Sequence, residues 1–115
     1  MAVKKIITEP NPILRQVSKS VVGVGKEEQN LMDDMLETMY AANGIGLAAI
    51  QIGIPKRIIV MDISKEKNKK EPRYFVNPVI KNKDKLKSTY EEGCLSVPNQ
   101  FAEIDRPKNC EIEFL

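Results

Sequence analysis

The sequence predicts an α+β fold, with short, mostly antiparallel strands around one amphipathic helix. Three observations predict it. Residues 26–43 carry one apolar stripe at helical spacing. Short β-branched or alternating runs occupy 57–63, 74–80 and 109–115. No internal repeat is present, which leaves a single layered domain as the simplest arrangement. At about 100–200 residues per domain, the 115 residues make one domain, 1–115, able to bury a real core.

The elements follow in order. Val3 to Ile7 reads as a short strand, stopped by Glu9-Pro10-Asn11-Pro12, because proline fixes φ and has no N–H to give. Ile13-Leu14-Arg15 reads as one helical turn, and Val21 to Gly25 as a glycine-punctuated apolar lead-in. In the helix, Leu31, Met32, Met35, Leu36, Met39 and Tyr40 share one face. Glu27 and Glu28 sit in its first turn, where the helix dipole favours anions. Asn43-Gly44 ends it as left-handed caps do, and a tight turn through Gly46 follows. Ile52 to Pro55 is a second turn. Arg57 to Ile63 is a buried strand, and Lys65 to Glu71 a charged loop. Tyr74 to Ile80 is a strand interrupted at Asn77-Pro78, hence an edge or bulged one. Lys81 to Lys87 is a solvated face, and Asn109 to Leu115 alternates as a last strand.

Composition removes several functions. Hydrophobic residues make up 42% and charged residues 30%, an ordinary globular balance. Eighteen basic against sixteen acidic side chains give +2, too little to imply a nucleic-acid partner. No apolar run approaches the roughly 18 residues of a membrane span, and no secretory signal is legible at the N-terminus. Two cysteines are no disulfide framework and fit a reducing cytoplasm. The chain contains no histidine, so no Ser-His-Asp or Cys-His machine and no His-ligated metal site can be made by these residues alone.

Three segments can carry chemistry, each with a plainer alternative. Gly44-Ile45-Gly46 can bring backbone amides close to a ligand, or can simply cap the helix and turn. A dinucleotide loop is disfavoured, because such glycines lie between a strand and the following helix. Gln51 can donate to an oxyanion, or sit on an exposed loop. Cys94 can be a small buried hydrophobe, a nucleophile lacking a base, or one metal ligand lacking partners. Cys110 reads as filler of the last strand. Glu91-Glu92 and Arg106 can form an ion pair bracing the loop at Cys94.

In combination these segments resemble the peptide deformylase family. Gly44-Ile45-Gly46-Leu47-Ala48-Ala49-Ile50-Gln51 resembles its first signature, Gly-x-Gly-Leu-Ala-Ala-x-Gln. Glu92-Gly93-Cys94-Leu95-Ser96 resembles its second, at a similar spacing. Pro10 to Arg15 resembles the family's opening, and Asn77-Pro78 its Asn-Pro strand. The resemblance implies a cytoplasmic or organellar metal-dependent hydrolase. Such enzymes remove the formyl group from the N-terminal formyl-methionine of newly made polypeptides, with nascent chains as partners and the ribosome nearby. It implies Fe²⁺ or another divalent metal, held by Cys94 and two histidines. It implies oxyanion donors in the Gln51 amide and the Leu95 N–H, and alignment of substrate by Ile45, Gly46 and Gly93 as an added strand.

The family's third signature, His-Glu-x-x-His, is absent. It supplies the histidines and the general acid/base Glu from one helix. The rest of the pattern is intact, so the expectation is an incomplete domain without its C-terminal catalytic helix, inactive alone. Apolar surface and a strand edge should be exposed at residues 110–115. The alternatives are a catalytically dead relative that still binds peptides, or one half of a split enzyme.

Overall fold

A computed structural model describes residues 3–64, 70–83, 87–107 and 110–114. It is α+β, with one α-helix, α1 (Lys26–Ala41), and seven strands among the described residues: β1 (Gly46–Ala48), β2 (Ile58–Met61), β3 (Arg73–Val76), β4 (Val79–Lys83), β5 (Lys87–Cys94), β6 (Val97–Pro107) and β7 (Cys110–Glu113). Short 3₁₀ helices span Pro12–Arg15 and Ala49–Ile52. All pairings between named strands are antiparallel. They form a β1-β2-β3 meander, a β4-β7 pair and a β5-β6 hairpin.

The helix forms where its stripe predicted. Glycine at the N-cap has no side chain to cap with, so Glu28 Oε1 accepts the Gly25 N–H at 2.9 Å instead. That bond comes first among the causes holding the Glu28 carboxyl below its usual range. Lys56 lies 3.5 Å from Glu27 and 3.7 Å from Glu28. At the other end Asn43 takes a left-handed φ of 57°, and the Gly44 N–H closes onto Met39 O at 2.9 Å.

The core lies between α1 and the meander. Met32, Met35 and Met39 pack with Leu47, Ala49, Ile58, Val60 and Val76. In β2 burial alternates, with Ile58 and Val60 inside and Ile59 and Met61 half-buried. Each large apolar side chain so buried contributes roughly 1.5–3 kcal/mol. The stripe's Leu31, Leu36 and Tyr40 flank this core half-buried. Thr38 is buried too, because both sides of its hydroxyl are used: it donates to Asp34 O at 2.7 Å and accepts the Lys4 N–H at 2.8 Å.

Several elements differ from expectation. Val3–Ile7 is not a strand: the Lys4 N–H goes to a helix side chain and the Ile7 N–H to Gln51 O, so no single ladder forms. The tight turn through Gly46 gives way to β1, which begins at that glycine. The run 74–80 is two strands in different sheets, not one bulged strand. Asn77 adopts φ 53°, and its side-chain amide brackets the Val21 backbone with two bonds of 2.7 Å. Asn77-Pro78 is therefore the corner where the chain leaves the meander. Lys81 and Lys83 fall on β4 and Lys87 on β5. Residues 65–69, from the predicted charged loop, and 84–86 lie outside the described residues.

Residues 110–113 form the predicted strand, paired with β4 on one side. Val79, Ile80, Ile112 and Phe114 stay exposed, while the Phe114 ring meets Phe75 edge-on at 4.9 Å.

Candidate active site

The site begins where α1 ends. Gly44 packs against the second signature: a Cβ there would lie 2.8 Å from Leu95 Cδ1 and 3.5 Å from Met39 Cγ. A side chain there would have to push the Leu95 methyl aside, whereas the cap itself makes no demand on Gly44, because Asn43 takes the left-handed conformation. Gly46 differs. A Cβ there would meet nothing nearer than Val60 O at 3.7 Å, so the fold itself does not require glycine. Gly46 is exposed, and β1 has a pairing partner on one side only among the described strands.

The second signature arrives on the β5-β6 hairpin. Cys94 pairs with Val97, and Leu95-Ser96 form the turn between them. The register jumps between Gly93 and Cys94, a bulge that re-aims the residues at the turn. Leu95 lies in the turn, outside the ladder. The predicted brace is present: Arg106 Nε donates to Glu92 Oε2 at 2.7 Å, and this bond holds the Glu92 carboxyl below its usual range.

A cavity of about 550 Å³ lies where the two signatures face each other. It is lined by Ile45, Gly46 and Gln51 on one side and by Gly93, Cys94 and Leu95 on the other. All six residues singled out from the sequence thus meet around one space. Asn43, Gly44, Val97 and Pro98 complete the wall.

Gln51 is not on an exposed loop. It is half-buried on the 3₁₀ helix after β1, and its amide is oriented from both ends. Oε1 accepts the Ala48 N–H at 3.0 Å, which turns Nε2 toward the hairpin. Nε2 lies 3.2 Å from Ser96 Oγ and 3.7 Å from Cys94 Sγ. Cys94 itself is exposed and free, not buried filler. Among the described residues no group of three or more His, Cys, Asp or Glu side chains is placed to hold a metal ion. Cys94 supplies one suitable donor, so these residues alone do not fit a divalent metal.

Two features beside the site were not singled out from the sequence. One is Ser96, buried within the second signature. The other is Asp62, also buried, which fastens the start of β1: its N–H donates to Ile45 O at 3.0 Å. Its carboxylate accepts the Ser64 N–H at 2.9 Å, the Tyr40 hydroxyl at 2.5 Å and the Glu71 N–H at 3.1 Å. Ser64 first, then Tyr40, bring the Asp62 pKa down to about 2. Burial first, then this carboxylate, push Tyr40 up to about 12. The signal was a lone acid ending an apolar strand, which is buried only when its oxygens are satisfied. A depressed folded pKa stabilises above the unfolded value near 3.8 and is lost as pH falls toward 2. Urea midpoints measured from pH 6 to pH 2 should therefore show wild type losing its advantage over Asp62→Asn below about pH 4.

The polypeptide deformylase family model matches residues 3–115. The chain belongs to this family. The peptide deformylase of Pelagibacter ubique is 74% identical over the whole chain. A probable peptide deformylase from Synechococcus phage S-SSM7 superposes with a TM-score of 0.91 at 46% identity, covering 96% of this chain and 75% of that one. The Ehrlichia chaffeensis peptide deformylase in complex with actinonin gives 0.91 at 39% identity, covering all of this chain and 69% of that one. The chain spans about two thirds of the curated deformylases it matches, 67% of the Pelagibacter one and 66% of that from Maricaulis maris. No helix of the described residues is long and apolar enough to cross a membrane.

Proposed function

We propose that residues 1–115 are the incomplete, substrate-aligning part of a peptide deformylase domain, whose C-terminal catalytic helix these residues do not supply. In this reading the enzyme hydrolyses the formyl amide at the N-terminus of newly made polypeptides in a bacterial-type cytoplasm. The observation that carries it is the convergence of Gln51 Nε2, Cys94 Sγ and the Leu95 turn on one cavity beside the half-paired strand β1.

Each residue then has a role. The backbone at Ile45, Gly46 and Gly93 accepts the formyl-peptide as an added strand, its N–H and C=O groups completing the ladder. Gly46 keeps that backbone open, which explains a glycine the fold does not need. The Gln51 amide and the Leu95 N–H face the carbonyl oxygen as it gains charge, and donors fixed beforehand stabilise it most. In a completed domain Cys94 would be one thiolate ligand to Fe²⁺ or another divalent ion. Such an ion, when bound, supplies Lewis acidity. The two histidine ligands and the general-base Glu have no counterpart here.

The test is to join residues 1–115 to a helical segment bearing His-Glu-x-x-His and supply Fe²⁺. Formate release from formyl-Met-Ala is expected. A folded protein that binds the peptide yet releases no formate would overturn the hydrolase reading in favour of a peptide-binding relative.

A further inference from the structure

The Gln51 amide has two ends, and the proposed oxyanion role uses neither bond that holds it. Oε1 is fixed by the Ala48 N–H at 3.0 Å. Nε2 carries two hydrogens, and Ser96 Oγ lies 3.2 Å away as an acceptor for one of them. Without Ser96, only the Ala48 bond and the long 3.7 Å contact of Nε2 with Cys94 Sγ would hold the amide plane. The Ser96 bond fixes it further.

Ser96 is equipped to serve as a fixed acceptor. It is 4% exposed, so water does not compete for its hydroxyl. Its position is set from outside the hairpin, by the N-terminal arm. The Glu9 N–H donates to Ser96 O at 2.9 Å, and the Ile7 N–H donates to Gln51 O at 2.7 Å. Ile7 and Glu9 of the N-terminal arm thus hold the backbones of the two residues whose side chains meet. The arm joins the first signature to the second.

We propose that Ser96 is a positioning residue for Gln51, held at the required spacing by Ile7 and Glu9. Its hydroxyl takes one Nε2 hydrogen and directs the other toward Cys94 Sγ, 3.7 Å away at the cavity wall. The inference rests on the reading of Gln51 as an oxyanion donor. It is tested without turnover, so the two can fail separately.

The test is ¹H–¹⁵N NMR of the Gln51 side-chain amide in the 115-residue chain. Two exchange-protected Nε2 protons, displaced from the free-amide shifts, are expected in wild type. Ser96→Ala should return them toward the free-amide shifts and speed their exchange roughly two- to tenfold, the population factor of one net hydrogen bond. Ser96→Thr should restore the wild-type signature. Ser96→Val, which matches threonine in shape without the hydroxyl, should not, and it replaces the alanine variant if that one fails to fold. An unprotected Gln51 amide in wild type would overturn the proposal. So would an amide unchanged in both hydroxyl-free variants, or equal recovery by Val and Thr.

Discussion

The 115-residue chain on its own is expected to take up no stoichiometric iron, nickel or zinc, and to release no formate from formyl-Met-Ala. Tight divalent sites with sulfur and nitrogen donors need three or four protein ligands. This chain offers one exposed thiol at the cavity and no histidine. The nearby carboxylate of Glu92 is already bound to Arg106. The second cysteine, Cys110, is on β7, whose partner is β4 rather than the hairpin that carries Cys94. Without a metal and a general base, Gln51 and Leu95 can stabilise an oxyanion that nothing generates. Metal analysis after anaerobic ferrous loading, paired with a formate assay, checks this. One metal per chain, or turnover, would show that ligands other than histidine or a second chain complete the site. The outcome is independent of the joined-helix experiment, because the same residues can be inert alone and competent when completed.

Much of the site was legible because its residues are adjacent in sequence. Gly44 to Gln51 and Glu92 to Ser96 are contiguous signatures, and contiguity survives without a structure. The helix and β2 were legible for another reason: their apolar periods, seen in Met32, Met35 and Met39 and in Ile58 and Val60, match their burial. Longer-range relations were not legible. Nothing local announces that β6 runs from Val97 to Pro107, because Leu95-Ser96 carries none of the Asn-Gly or Asp-Gly chemistry of common hairpin turns. The N-terminal arm has a strand's composition, yet its N–H groups are shared among Thr38, Gln51 and Ser96. Asn77 looked like a defect in a strand and is a corner, because its amide is spent on Val21, 56 residues earlier in the chain. Sequence patterns report which face is buried. They do not report which distant backbone a polar side chain satisfies.

Substitutions at Gln51 should produce a large loss of rate in a completed protein. Gln51→Leu keeps most of the side-chain volume and removes the donor, so kcat should fall on the order of 10²–10³, with KM little changed. Equal losses in kcat and kcat/KM mark an interaction made only in the transition state. Leucine also deprives the Ala48 N–H of its acceptor, so part of its effect is structural. Gln51→Glu separates the two. A carboxylate still accepts the Ala48 N–H, but it offers no N–H and sets a negative oxygen facing the oxyanion, about where Nε2 now lies 3.7 Å from Cys94 Sγ. Its kcat should be at least as low as that of the leucine variant, while its urea midpoint stays nearer wild type. Donation into the cavity explains that order of effects, and anchoring of the 3₁₀ helix alone predicts the reverse, with glutamate active and leucine not. Steady-state kinetics on formyl-Met-Ala for both variants, with urea midpoints alongside, decide between them.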